Sequence, residues 1–445
     1  MTKFSRLILL SVSFLFLGNL AADDWPRWLG PDMDSTWKEE GITEDFSKTE
    51  PKVLWRVPAG MGYSGVTVSE GRVFIIDYLK EGGEMTNHPS GKDKLMGKER
   101  VRALDAETGE ELWAYSYEQP YFLSFPGGPR AVPTVAGDKV IALGTEGRLT
   151  VLDVESGEVV WEKDFQKDYE SETPIWGHSA HPLVHDGLVY CMVGGEGSVV
   201  VAFDLATGDE KWRALSAPEP GYCPPTIIEQ AGVEQLIVWH STALSALDPK
   251  TGEELWDVSL KPAYGMAIAA PRKHGDLLFA SGFGRIGALI KLATDKPGAE
   301  IVWRSKPKNG VYAATVTPFI QGDTIYGCDI DSSLLMAVDI NNAERHWETT
   351  KPTLAPDAPD GSRYGTSFLT FHPPTGHFYL FNEMGELIIA DLSPEGYQEI
   401  SRWKALEPTN TAFGRPVVWS PPAFAMKSAF LRNDEEVIRV DLSAE

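Results

Sequence analysis

Hydrophobic and polar positions alternate along this chain in short runs, and each pair of runs is separated by a turn. In the clearest stretches an alternating strand enters an Asp-x-x-Thr/Ser-Gly turn and returns as a strand that ends on tryptophan. These are ALDAETGEELW (Ala103 to Trp113), VLDVESGEVVW (Val151 to Trp161), AFDLATGDEKW (Ala202 to Trp212) and ALDPKTGEELW (Ala246 to Trp256). The Asp can accept backbone N–H groups of the turn and a glycine such as Gly157 can take positive φ, so each stretch predicts a β-hairpin.

The hairpins recur. Trp55, Trp113, Trp161, Trp212, Trp256, Trp303, Trp347 and Trp403 lie 44 to 58 residues apart, the length of a four-stranded propeller blade with variable loops. Each indole is expected to wedge against the neighbouring blade as a structural docking group. Weaker copies, KLATDKPGAEIVW (Lys291 to Trp303), AVDINNAERHW (Ala337 to Trp347) and IADLSPEGYQEISRW (Ile389 to Trp403), lose the Thr-Gly pair but keep the register.

With the motif AxDxxTGxxxW on view, the chain resembles the pyrroloquinoline-quinone-like (PQQ-like) β-propeller repeat family, over roughly residues 50 to 445. That family includes BamB-like scaffolds and quinoprotein dehydrogenases. The resemblance implies an all-β, eight-bladed propeller. After Trp403 the strand-like runs Arg415 to Trp419, Ser428 to Leu431 and Glu436 to Leu442 stop one outer strand short. VLWRV (Val53 to Val57) is an outer strand without a preceding hairpin. It is expected to complete the last blade and leave no open sheet edge.

The division expected is a signal peptide at 1–22, an N-terminal docking segment at 23–50 and the propeller at 51–445. Lys3 and Arg6 precede an apolar run from Leu7 to Leu17 and a small-residue site at Ala21 and Ala22, the layout of a cleaved secretory leader. A periplasmic or secreted protein follows, with no transmembrane segment and no cysteine for a lipid anchor at the cleavage site. The docking segment carries DWPRWLGP (Asp24 to Pro31), whose Trp25 and Trp28 are expected to rest on the propeller. Similar openings occur in exported quinone-type propellers of planctomycete-like bacteria; Leu29 stands where that pattern has Arg.

A formal charge of −24, two units more negative without Lys3 and Arg6, repels nucleic acid and anionic lipid surfaces. Three scattered cysteines, Cys191, Cys223 and Cys328, do not make a disulfide framework and read as buried small residues. Dehydrogenases of the resembled family carry an adjacent Cys-Cys pair beside the quinone, and this chain has none.

Aligning the repeats on their tryptophans sets the expected starts of the eight inner strands at 62–65, 128–131, 176–179, 221–224, 263–266, 311–314, 363–366 and 413–416. Nearly all carry an aromatic or basic residue. This predicts a ligand-binding ring at the channel mouth made of Tyr63, Arg130, Trp176, His178, Tyr222, Tyr264, Tyr312, Arg363, Tyr364 and Arg415. Tyrosines suit a flat or sugar-like group and arginines an anion; tyrosine and glycine also suit a crowded strand start without any ligand. Glu146, Glu196, Asp329, Asp331, Asn382, Glu383 and Asp434 fall in turns of the same face. Oxygen ligands of that type suit calcium, but none matches a catalytic motif of the family, so no metal site is assigned and the catalytic residues stay unknown. His178, His181 and His185 lack the helical spacing of a zinc site, and Ser64 and Ser179 lack a nucleophile elbow. The run from Leu79 to Arg100 interrupts blade one as a loop or a lid.

Three readings remain open. The first is an exported, non-catalytic and monomeric propeller that binds a protein partner or small ligand at its mouth, without a cofactor. The second is a dehydrogenase of alcohols or sugars that uses PQQ with calcium, and the third is a glycan-binding module.

Overall fold

The computed structural model describes residues 24–444, and the expected signal peptide at 1–22 lies outside them. Eight four-stranded antiparallel sheets stand in a ring, each with its first strand innermost. The inner strands are Thr67–Ser69, Thr134–Ala136, Leu183–His185, Thr226–Gln230, Arg272–His274, Phe319–Gln321, Ser367–His372 and Ala423–Ala425, numbered here as blades one to eight. The strand Lys52–Pro58 pairs antiparallel with Glu436–Asp441 and completes blade eight, so the N-terminal strand closes the ring as expected.

The repeated turn works as its residues require. Asp153 accepts from the backbone N–H groups of Glu155 (3.1 Å) and Ser156 (2.8 Å), and Gly157 has φ 70°. The tryptophan then reaches into the next blade. Trp113 Nε1 donates to Val154 O (3.0 Å), Trp161 to Leu205 O (2.9 Å), Trp212 to Pro249 O (3.0 Å) and Trp55, across the closure, to Ala106 O (2.9 Å). Blade five has lost the standard turn, and the indole that would dock on it, Trp256, bonds instead to Gln235 of its own blade (2.7 Å). In seven blades the outermost pairing shifts register directly beside the tryptophan, as between Ala103 and Leu104 in blade one, and in blade seven it shifts at Ile400, so that Ser401 takes the place of the repeat tryptophan and Trp403 lies two residues beyond the expected register. A bulge there twists the free edge away from further pairing.

Two expectations are corrected. All eight inner strands begin later than the tetrads aligned on the tryptophans. In six blades a proline, Pro133, Pro182, Pro225, Pro271, Pro318 or Pro422, immediately precedes the strand. Lacking an N–H, it holds the preceding residues out of the ladder. The run beginning at Arg415 is likewise not the inner strand of blade eight. Arg415–Val417 pairs with Asn410–Ala412 in an accessory hairpin ahead of it.

Residues 24–47 close the lower end of the channel, the end that carries the turns between first and second strands. Trp25 pairs with Val68, Pro26 O accepts from Val135 N (2.8 Å), Arg272 donates to Met33 O (2.7 Å), and Trp37 N donates to Phe371 O (2.8 Å). Trp37, 1% exposed, stacks on Phe424 at 4.9 Å, and Trp28 stacks on His181 at 4.6 Å. Above this plug a void of roughly 30 Å³ remains between Trp25, Trp28 and the inner strands, room for a single water. Among the described residues no helix is long and apolar enough to cross a membrane.

Candidate functional site at the upper mouth

The upper face carries the inter-blade connections and the turns between second and third strands. Its most prominent element is an arm in blade one, where the strands Arg72–Gly82 and Asp93–Asp105 run on beyond the sheet. At its base Tyr78 stacks on Tyr121 at 4.1 Å. Buried Glu99 accepts from the Tyr121 hydroxyl (2.6 Å), Thr145 N (2.8 Å) and the Tyr117 hydroxyl, which ties the arm to blade two. Burial pushes the Glu99 carboxyl above its usual range. The tip returns across the face: Asn87 Nδ2 donates to Asn410 Oδ1 (2.9 Å) and Thr411 O (2.8 Å), and Ser124 Oγ donates to His88 O (2.7 Å). Most of the Leu79–Arg100 run is therefore strand, and only residues 83–92 form a loop.

Under the tip lies an aromatic cluster. Trp419 is 5.6 Å from Tyr63, 5.5 Å from Phe125 and 6.2 Å from Phe413, and Phe413 is 4.4 Å from Tyr364. Beside it runs a belt of charge. Glu383 accepts from Arg415 Nη2 (2.5 Å), Trp419 Nε1 (2.8 Å) and Thr366 Oγ1 (3.3 Å). Arg415 also donates to Arg363 O (3.1 Å), and Arg363 pairs with Asp331, which meets Arg285 at 3.4 Å. Burial lifts the Glu383 carboxyl to about 7 despite Arg415, which acts to lower it. Asp434 is lifted to about 6 by burial while it accepts from Gly62 N (3.0 Å).

Of the residues expected to line the mouth, Tyr63 and Arg130 meet here, guanidinium to ring at 5.0 Å, with Arg363, Tyr364 and Arg415 on the opposite side of the cluster. Arg130 donates to Gly128 O (2.8 Å), Ser124 O (3.2 Å) and Phe125 O. Trp176 and Tyr222 form a neighbouring pair at 5.8 Å. The other three stand apart. His178 is buried against Phe165 at 5.4 Å, where burial drops its pKa to about 4 and keeps it neutral. Tyr312 is buried and donates to Lys306 O (2.7 Å). Tyr264 is 74% exposed beside Phe283. Sequence reasoning missed Phe125, Phe413 and Trp419, although Trp419 had a visible signal: it falls outside the blade period.

Most of the turn carboxylates and Asn382 are engaged by backbone N–H groups or arginines, within their own turns or from neighbouring segments. Asp329 accepts from Tyr312 N (3.2 Å), Asp331 N (3.1 Å) and Ser332 N (3.0 Å); Asn382 Oδ1 accepts from Met384 N and Glu386 N (3.0 Å each); Glu146 accepts from Phe122 N (2.9 Å). Among the described residues, the one group of three His, Cys, Asp or Glu ligand atoms close enough to share an ion is His185, Asp186 and Glu234, largely exposed and on the lower face. The three cysteines are free and buried, with thiols raised by burial.

Residues 97–238 and 240–427, well over half of the chain, match the family described as outer membrane protein assembly factor BamB. The chain belongs to that family. Among solved structures, this BamB-family chain is similar to BamB from Moraxella catarrhalis, with a TM-score of 0.55 and 15% identity over 88% of this chain and 97% of that one. It is also similar to the quinohemoprotein alcohol dehydrogenase of Comamonas testosteroni, with a TM-score of 0.61 and 12% identity over 95% of this chain and 81% of that one. The quinohemoprotein alcohol dehydrogenase ADHIIG of Pseudomonas putida HK5 gives 0.63 and 12% over the same shares. At such identities the likeness is one of fold alone. No curated protein sequence matches.

Proposed function

We propose that this chain is an exported, non-catalytic propeller that binds a partner protein through its upper mouth. The observation that carries this reading is that exposed apolar side chains stand on the upper face, Met96 and Phe122 beside the arm and Phe413 over the aromatic cluster, with Tyr264 apart on the connection ahead of blade five, while the charges beneath Phe413 are already engaged with one another. Large exposed aromatic and Met side chains, as distinct from the outer-strand valines and leucines, are the residues most often found at the centre of protein contacts. The PQQ alternative fits these residues poorly. A tricarboxylate needs free cations, but Arg130 is spent on three carbonyls and Arg415 on Glu383. Of the oxygen ligands calcium would need, Asp331 and Glu383 are paired with arginines, and Asp329, Asn382, Glu146 and Asp434 accept backbone N–H groups. Export rests on the leader-like opening, Lys3 to Ala22.

Site-specific photocrosslinking in the source cells tests the reading. A photoreactive residue at Phe413 gives a discrete crosslinked protein, and one at Val160 on the outer strand of blade two gives none. Equal yields from both positions overturn it.

One observation favours the dehydrogenase as a second reading: Glu383, lifted to about 7 between Arg415 and Trp419, is in the range of a general base. Calorimetric titration with PQQ, with and without calcium, decides. Saturable heat that disappears in Glu383→Gln establishes the second reading, and no heat removes it.

A further inference from the structure

On the lower face, the seam between blades three and four brings together His185, Asp186 and Glu234, whose donor atoms all lie within 4.8 Å of one another. His185 ends the inner strand of blade three, paired with Leu188, and Asp186 follows it in the Asp-Gly turn with φ 48°. Glu234 comes from the second strand of blade four, where it pairs with Glu229. His185 Nε2 is 3.1 Å from Glu234 Oε1 and 3.9 Å from Asp186 Oδ2, so both carboxylates address the same ring nitrogen. Ladder pairing and a tight turn fix the backbone under all three.

Other seams of this face have a resident donor for their carboxylate. Arg72 of blade one pairs with Glu155 of blade two, Arg439 of blade eight with Glu107 of blade one (2.7 Å), and Gln230 of blade four donates to Asp276 of blade five (3.1 Å). Between blades three and four two carboxylates share one imidazole, and among the described residues no lysine or arginine pairs with either. Arg27 of the plug comes close, but it donates to the carbonyl of Val184 (3.4 Å). His377 also stands between two carboxylates. There Glu44 meets Nε2 (3.4 Å) and Asp391 meets Nδ1 (2.6 Å), on opposite edges of the ring, so one ion cannot take both with the imidazole. His185 is the imidazole whose two carboxylates converge.

One imidazole nitrogen with two carboxylate oxygens is a donor set for zinc, whereas calcium and magnesium take oxygen alone. Zinc–ligand bonds of about 2.0–2.2 Å put donors roughly 3–3.5 Å apart. The His185–Glu234 spacing already meets this, and a turn of the exposed Asp186 side chain would bring in the third ligand. We propose that His185, Asp186 and Glu234 bind a zinc ion that staples blade three to blade four. The ion takes the place of the proton between Nε2 and Glu234, leaves Nδ1 protonated, and keeps its remaining position for water. A charge of −24 on the chain enriches cations at its surface. The site lies at the opposite end of the ring from the partner-binding mouth and does not depend on that reading.

The test is calorimetric titration of the full mature chain, freed of metal by a chelator and carrying no affinity tag, with zinc chloride. One saturable site is expected, weakened at least tenfold in His185→Ala and severalfold in Glu234→Gln. It is expected to hold within twofold in His377→Ala, and the fold of each variant is checked by its Tm. Cobalt in place of zinc reports the ligands, with visible absorption that appears in the native chain and not in His185→Ala. Because the three ligands meet only in the folded ring, zinc raises the Tm of the native chain and not that of His185→Ala. Absence of saturable binding, equal weakening in His185→Ala and His377→Ala, or displacement of zinc by an equal concentration of calcium overturns the proposal. None of these outcomes bears on the upper mouth, which stands or falls with crosslinking at Phe413.

Discussion

Gly157 lies against the indole of Trp113 in the preceding blade, so closely that a Cβ at Gly157 would come within 2.6 Å of the ring. The same holds for Gly208 with Trp161 (2.7 Å) and Gly252 with Trp212 (2.5 Å). The turn glycine therefore meets two demands, positive φ and room for a neighbour's tryptophan, and the repeated motif is a coupling between blades as much as a hairpin.

A paired substitution separates the two demands. Gly187 has φ 74° with nothing within 4 Å of the position its Cβ would take. Gly187→Ala pays only for the left-handed backbone, about 1 kcal/mol. Gly157→Ala adds a clash, for a total of roughly 2–4 kcal/mol. Urea denaturation midpoints report the difference, and equal losses would show that the indole yields freely.

The lower plug is held by its tryptophans. Trp37 packs on Phe424, Tyr379 and His372, and its Nε1 donates to Glu39 Oε2 at 2.9 Å. Trp37→Ala is expected to destabilise the protein by about 3–5 kcal/mol and to expose the segment before Lys48 to protease. Limited proteolysis with mass mapping checks this.

Stability should fall as pH rises through the Glu383 window. The carboxyl has an ordinary value of 4.5 and is lifted to about 7 in the fold. Between these values the folded protein holds a proton that the unfolded chain has released, so unfolding becomes easier with rising pH, by about 3 kcal/mol over the window. Asp434, lifted from 3.8 to about 6, adds a loss of the same sign at its lower end. Glu383→Gln removes the larger part of the slope, and denaturation midpoints at intervals from pH 4 to 8 measure it. An unchanged slope contradicts the assignment.

The arm is fastened at its tip by Asn87. Asn87→Ala removes two hydrogen bonds to the accessory hairpin, each worth about 1 kcal/mol net. Global stability should be nearly unaffected, while hydrogen exchange at residues 83–92 and 410–412 speeds up together. Acceleration at the arm alone would mean that the hairpin does not depend on the tip.

How far the sequence reached differs between fold and site. The blade count and the Trp-bearing outer strands were legible because each copy of Asp-x-x-Thr/Ser-Gly carries its hairpin within a dozen residues and repeats at a fixed period, and the closure by Val53 to Val57 followed from the count, one outer strand being short at one end and spare at the other. The weak copies were legible for the same reason; the consequence of losing the turn was not, because Trp256 pays for the defect of the blade after it by turning to Gln235. The mouth was half legible. Equivalent positions in the repeat bring Tyr63, Arg130, Tyr364 and Arg415 to one end of the ring, but the same positions bury His178 and Tyr312 and leave Tyr264 in solvent. Side-chain direction there depends on inter-blade loops that do not repeat. Phe413 enters at the turn of an accessory hairpin and Trp419 just after it, the plug crosses inner strands of distant blades, and Glu383 meets Arg415 from another blade's insertion. Periodicity determined the ring, since apart from the closing strand its contacts lie within a blade or between consecutive blades. What caps the ring at either end was decided by tertiary structure, because those contacts join segments hundreds of residues apart whose pairing follows only once the ring has closed.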